Sequence, residues 1–141
     1  MEIKNVHTLE ELREIFKDDK FAVEACGAEI VEADALYAKC EMELKPIHMN
    51  ARGAVMGGAI FTLSDFAVAV AANGSREVPD TVAIDANISY IRSSKGKKLI
   101  AEAKCIKPGR IVSFYEVNVT DDLGVDIARF TSKTYTIYPK K

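Results

Sequence analysis

The stretch "GGAIFTLSDFAVAVAANG", residues 57–74, is apolar almost throughout and holds a single acid, Asp65. Between Arg52 and Arg76 no other residue carries a formal charge. A helix that is apolar on every side has to be buried. A carboxylate about two turns inside such a helix is too far from its start to serve as a cap. Burying it is costly unless it is hydrogen-bonded or its pKa shifts until it is neutral. Asp65 is therefore either a structural residue bonded to a neighbouring backbone or partner subunit, or a base or nucleophile tuned by burial. The residues alone leave both open.

The rest of the chain must supply a surface for this helix. "HTLEELREIFKDD" carries a capping-box pattern, Thr8 with Glu11, and Leu9, Leu12, Ile15 and Phe16 recur at helical spacing. This predicts a short N-terminal helix on the outside of the domain. Over 21–44 the pattern turns to period two. Leu36, Ala38, Cys40, Met42 and Leu44 share one face against Tyr37, Lys39, Glu41 and Glu43, and "VEADA" reads as the turn of a hairpin. "KPIHMNARGAVM" is a loop. After "NGSREVPD" come four strand-like runs, "TVAIDANISYI", "KKLIAEAKCI", "RIVSFYEVNVT" and "VDIARFTSKTYTIY", with "KPGR" and "DDLG" as turns. In the first run Val82, Ile84, Ala86, Ile88 and Tyr90 lie on one side. Successive strands joined by short turns imply an antiparallel sheet, and the simplest place for the apolar helix is against one of its faces. The expectation is an α+β fold in one domain over 1–141.

Composition excludes several functions. The formal net charge of −2 gives no general pull toward nucleic acid or anionic membrane, and no aromatic-basic platform appears. The apolar run is too short, and too interrupted by Asp65, to span a bilayer. "MEIKNVHTLEEL" has no apolar core of a secretory leader. Cys26, Cys40 and Cys105 are odd in number and far apart, so neither a disulfide framework nor a zinc site is expected. Each lies in a strand-like run and is read as a small packed hydrophobe in a reduced, cytoplasmic protein. His7 and His48 are the only histidines, which argues against a metal centre or a Ser-His-Asp triad. His7 is expected to be exposed ahead of the first helix.

Gly57 and Gly58 stand at the predicted helix start. Glycine there lets a ligand approach backbone N–H groups that lack an intrahelical partner, and the helix dipole favours negative charge beside them. Ser64, next to Asp65, reads as a residue bonding back to its own helix.

"NARGAVMGGAIFTLSDFAVAVAAN" resembles the hotdog-fold thioesterases of the phenylacetate-pathway (PaaI) type. Their pattern is an Asn, a Gly three residues on, His-Gly-Gly, and an apolar helix with an acid eight residues after the first paired glycine. Asn50, Gly53, Gly57, Gly58 and Asp65 match in type and spacing. "IDANISYIRSSKGKKLIAEA" resembles the family's Asp-x-Asn strand and basic loop, and "KPGRIVSFYEVNVTDDLGVDIARFTSKTY" its last hairpin. The likeness covers 38–138. It implies a hotdog fold, an antiparallel sheet wrapped around one long central helix, in homodimers or dimers of dimers with sites at subunit interfaces. It further implies acyl-CoA thioester hydrolysis, with the Gly57 N–H as oxyanion donor and Asp65 of another subunit as base or nucleophile. Asn50 would orient water or the carbonyl, although it also suits a turn. Gly58, Tyr90, Arg92, Ser93, Gly109 and Arg110 would contact the substrate and its coenzyme A portion. Coenzyme A is part of the substrate, and no cofactor or metal is implied.

Basic residues do cluster there: Arg92, Lys95, Lys97, Lys98, Lys104, Lys107 and Arg110. Each single lysine also suits a solvated face. The chain departs from the family at two positions, with Met56 in place of His and Ala83 in place of the Ser or Thr that holds water in related members. Neither change removes the acid or the backbone donor. Both favour the alternative, a non-catalytic acyl-CoA-binding hotdog module. A hotdog dehydratase pairs its acid with a catalytic His, and no His lies in or near this helix; His48 is given no catalytic role.

Overall fold

The computed structural model describes residues 3–139; Met1 and Glu2, where the stretch read for a leader begins, and the last two residues of the 1–141 unit lie outside them. Helix α1, Leu9–Phe16, starts as its capping box predicts. The Glu11 N–H donates to Thr8 Oγ1 at 3.2 Å and the Thr8 N–H to Glu11 Oε1 at 3.0 Å. Leu12 and Phe16 form its buried face.

The period-two reading fails just after it. Phe21–Ala25 is a π-helical turn, not a strand. Ala22 and Cys26 are its buried residues, four apart on one face, while Phe21 points to solvent. Cys26 therefore ends a helical turn rather than sitting in a strand, and all three cysteines are free. Alternation holds from Ala28 onward. Strands β1, Ala28–Asp34, and β2, Tyr37–Glu43, form the expected hairpin. The turn begins only at the last residue of "VEADA", at Ala35 and Leu36, with Leu36 at φ 54° rather than on the core face. Ala38, Cys40 and Met42 are fully buried, as read.

Helix α2, Gly57–Asn73, follows the loop. Its alanines favour helix, and Leu63, Phe66, Ala67, Val68 and Val70 are buried. Each large apolar side chain so buried contributes roughly 1.5–3 kcal/mol. Asn73 ends the helix and clamps it to the next strand. Its Nδ2 donates to Ala69 O and Thr81 O, at 2.9 and 3.1 Å, and its Oδ1 accepts from the Thr81 N–H at 3.0 Å. Strands β3 (Thr81–Tyr90), β4 (Lys98–Lys107), β5 (Val112–Asp121) and β6 (Asp126–Thr136) complete a six-stranded antiparallel sheet in the order β1-β2-β4-β5-β6-β3. The sheet wraps α2 on one face, which is the hotdog arrangement that the resemblance implies.

β3 departs from its pattern. It is an edge strand with an irregularity between Ala83 and Asp85, and its apolar side is not buried in the chain. Val82 is 45 % exposed and Ile84 53 %. His7 is another correction. It is half-buried, and its Nε2 lies 2.7 Å from Arg76 O. Among the described residues no helix is long and apolar enough to cross a membrane.

Candidate active site

The loop before α2 is built from its own side chains. Asn50 Oδ1 accepts from the Arg52 N–H at 2.9 Å and the Ala54 N–H at 3.1 Å, so its oxygen is held by the turn. Its amide nitrogen has no partner among the described residues and faces solvent. His48 is buried with both ring nitrogens engaged: Nδ1 accepts from the Lys45 N–H at 2.9 Å, and Nε2 donates to Cys26 O at 2.7 Å. It staples the loop to the end of the π-helical turn. The Met56 N–H donates to His48 O at 2.8 Å, which fixes where α2 begins.

Met56 occupies the N-cap position without a side-chain hydrogen bond. The Ala59 and Ile60 N–H groups reach back to Met56 O, and those of Gly57 and Gly58 find no acceptor among the described residues. They are the free donors that the sequence led us to expect. The Tyr90 hydroxyl donates to Gly57 O at 3.0 Å. A Cβ on Gly57 would stand 2.8 Å from the Tyr90 ring, so any larger residue would push the Tyr90 side chain aside. Gly58 has open space around it. Gly57, Tyr90, Arg92 and Ser93 line one cleft of about 400 Å³ with Val55, Ile60, Ile91 and Ser94. Arg92 Nη1 donates to Asp126 O at 3.2 Å.

Asp65 opens into a different cleft, also about 400 Å³, walled by Phe61, Thr62, Phe66, Ala69 and the corner residues Asp19, Lys20, Phe21 and Ala22. Its carboxylate has no hydrogen bond or ion pair among the described residues. Burial, and after it the charge of Asp19, push its carboxyl above the ordinary value. Ser64, by contrast, bonds back to Ile60 O at 2.9 Å, as read. Eight residues along a helix amount to about 12 Å of rise, so one chain does not bring the Gly57 donor and the Asp65 carboxylate to a common atom.

Gly109 and Arg110 lie at a third cavity, of about 540 Å³, beside Ala72 at the far end of α2. The Arg110 guanidinium rests over the Tyr138 ring, 4.8 Å from its centroid. A Cβ on Gly109 would stand 2.0 Å from Val112 O. Of the lysines, Lys98 pairs with Glu41 and Lys104 with Glu102, each at 3.2 Å, in keeping with a solvated face. Two acids escaped the sequence reading. Asp19 comes to Asp65 only because the chain folds back after α1. Asp121 is 1 % exposed and joins two turns through its hydrogen bonds. Nothing in the local pattern of either marks it. Among the described residues no group of three His, Cys, Asp or Glu side chains is disposed to hold a metal ion.

The sequence pattern of the thioesterase superfamily matches residues 52–128. A putative esterase from Archaeoglobus fulgidus is 35 % identical over 124 residues, 87 % of this chain and 79 % of that protein. Human acyl-coenzyme A thioesterase 13 is 31 % identical over 83 residues, 58 % of this chain and 59 % of that protein. The structure of the E. coli PaaI protein from the phenylacetic acid degradation operon superposes with a TM-score of 0.82, covering 94 % of this chain and 99 % of that one. At 22 % identity that last likeness is one of fold.

Proposed function

The chain belongs to the thioesterase superfamily and is a thioester hydrolase, and on that premise we propose that its substrate is an acyl-CoA, cleaved between two subunits. Two unsatisfied groups on α2 carry this reading: the free Gly57 N–H over one cleft, and the unpaired Asp65 carboxylate in another. A second copy paired along the β3 edge would cover Val82 and Ile84, whose exposure beside an unpaired strand edge is otherwise a liability. It would also set the partner subunit's Asp65 against the Gly57 cleft.

The thioester carbonyl then accepts from the Gly57 N–H. That contact strengthens as the carbon turns tetrahedral and its oxygen gains charge. A donor of this kind lowers the barrier by ~3 kcal/mol. Asp65 takes the proton of the attacking water, or attacks the carbonyl carbon itself. Collapse of the intermediate breaks the carbon–sulfur bond, and coenzyme A leaves as thiolate; where Asp65 is the nucleophile, water then hydrolyses the acyl–Asp65 anhydride to the free acid and restores the carboxylate. The free amide of Asn50 is available to water or the carbonyl oxygen, while its own oxygen holds the loop. No cofactor is needed.

Hydrolysis measured against aryl-, short- and long-chain acyl-CoAs, with sedimentation of the same preparation, tests this reading. Turnover of at least one substrate by a dimer or larger species is expected. Tight acyl-CoA binding without turnover would point instead to a binding module, and a fully active monomer would remove the shared site.

Arg92, next to the Gly57 cleft, and Arg110, stacked on Tyr138, are the guanidinium groups we assign to the coenzyme A phosphates. Contacts to a remote phosphate are made equally in ground and transition states. Arg92→Ala or Arg110→Ala should therefore raise KM about fivefold or more and change kcat much less. Unchanged affinity for free coenzyme A in both variants would exclude these sites.

A further inference from the structure

We propose that Asp19 is a positioning residue for this hydrolysis: its carboxylate, on the same cleft as Asp65 and with no unpaired cation lining that cleft among the described residues, sets how readily Asp65 accepts a proton. The inference rests on the assignment of Asp65 as the base. Its observations are independent of that assignment.

Asp19 lies in the corner between α1 and the π-helical turn. Its N–H donates to Phe16 O at 3.0 Å and its carbonyl accepts from the Val23 N–H at 2.9 Å, so the backbone fixes where the side chain begins. The side chain itself bonds nothing among the described residues, so it does not hold the corner together. It shares the Asp65 cleft. The one basic residue lining that cleft, Lys20, has its ammonium 3.2 Å from Glu24. Lys17, at the end of α1, pairs with Glu14. Asp18 adds a further negative charge, and α2 contributes no ionisable group to the cleft besides Asp65. Asp19, itself exposed, and the part-buried Asp65 therefore share a cleft whose one lining lysine, among the described residues, is already paired with Glu24. Burial and the charge of Asp18 raise Asp19 above its ordinary value, as burial and Asp19 raise Asp65. A like charge makes a carboxylate a stronger base. A base whose affinity for protons approaches the working pH transfers them more effectively.

The test is the pH profile of kcat/KM for the full-length protein on its best acyl-CoA, in native, Asp19→Asn and Asp19→Glu forms. Asp65 works ionised, so activity falls as pH drops through its pKa. With the neighbouring charge gone, that fall moves to lower pH. At the pH where the native protein keeps half of its plateau activity, Asp19→Asn should keep clearly more than half. Asp19→Glu, which keeps the charge, should follow the native profile. A merely structural Asp19 would lower the melting temperature in both variants and leave the acid limb where it is; superimposed limbs overturn the proposal. If Asp19→Asn does not fold, the native protein serves. At about 1 M salt, where the screening length is ~3 Å, its acid limb should shift in the same direction, and an unmoved limb overturns the proposal. Asp65→Asn separates the two levels. If it stays active, the base assignment fails. If it is dead while Asp19→Asn leaves the limb unmoved, only the present inference fails.

Discussion

Asp65→Asn is expected to lower thioester hydrolysis about 100-fold or more, as losses of a general base do. The amide keeps the size of the side chain and removes its ability to accept a proton. Affinity for substrate should change little, because the carboxylate binds no part of the ground state in this scheme. Stability should stay level or rise. Burial raises the Asp65 carboxyl, so the folded protein holds the proton more tightly than the unfolded chain. A group with this sign weakens the fold as pH rises through its folded pKa and it ionises. At neutral pH the native protein carries that cost and the amide does not. A structural Asp65 predicts the reverse pair of results: a lower melting temperature or a lost dimer, with activity falling only as folded protein falls. Turnover, ligand affinity and melting temperature measured on the same two preparations distinguish these outcomes, and near-native turnover by Asp65→Asn would end the mechanism.

The parts of the fold that could be read from sequence are those whose burial partner is local or repeated. Alternation in β2 names its core face because every second residue meets α2, and Ala38, Cys40 and Met42 are fully buried. The Thr8–Glu11 box needs only its own turn. Phe21–Ala25 misleads because its apolar residues suit a short strand. What makes it helical is the chain reversal after α1, where the Val23 N–H returns to Asp19 O. β3 misleads in another way. Val82 and Ile84 have the pattern of a buried face, yet the sheet ends at that strand and both stay about half exposed.

The candidate site divides along the same line. Gly57 as a free donor, and Ser64 bonded to its own helix, follow from helix geometry alone. The partition of the expected residues among three cavities follows from the sheet, which carries Tyr90 and Arg92 to the start of α2 and Gly109 and Arg110 to its far end. Asp19 lies 46 residues before Asp65, and no spacing rule links the two. Their approach depends on α1 docking over the sheet and on the corner that follows it.

The largest expected loss of stability comes from a carboxylate that takes no part in the chemistry. Asp121 ends β5 and is buried. Its Oδ1 accepts from the Leu123 and Val125 N–H groups, each at 3.0 Å, and its Oδ2 from the Ser94 hydroxyl at 3.0 Å. One side chain thus closes the β5–β6 turn and ties it to the loop that carries Arg92 and Ser93. Asp121→Ala leaves these donors without their acceptor in a part-buried turn, at a cost of about 2–3 kcal/mol. KM should rise as well, because the Arg92 loop loses its anchor. Asp121→Asn, which keeps one acceptor oxygen, should lose less. The pH dependence has a definite sign. Burial alone would raise this carboxyl, but the hydrogen bonds from Val125, Ser94 and Leu123 outweigh it and hold the group below its ordinary value. Stability from a group lowered in this way is complete above the unfolded value, about pH 4, and is lost as pH falls through the lower folded value. Denaturant unfolding of the native and Ala forms should therefore show a gap that is constant from neutral pH down to about 5 and narrows below 4. A gap under about 1 kcal/mol at neutral pH would mean that water or the loop replaces these bonds, and that the Arg92 loop is held by its backbone contacts to Ile127 instead.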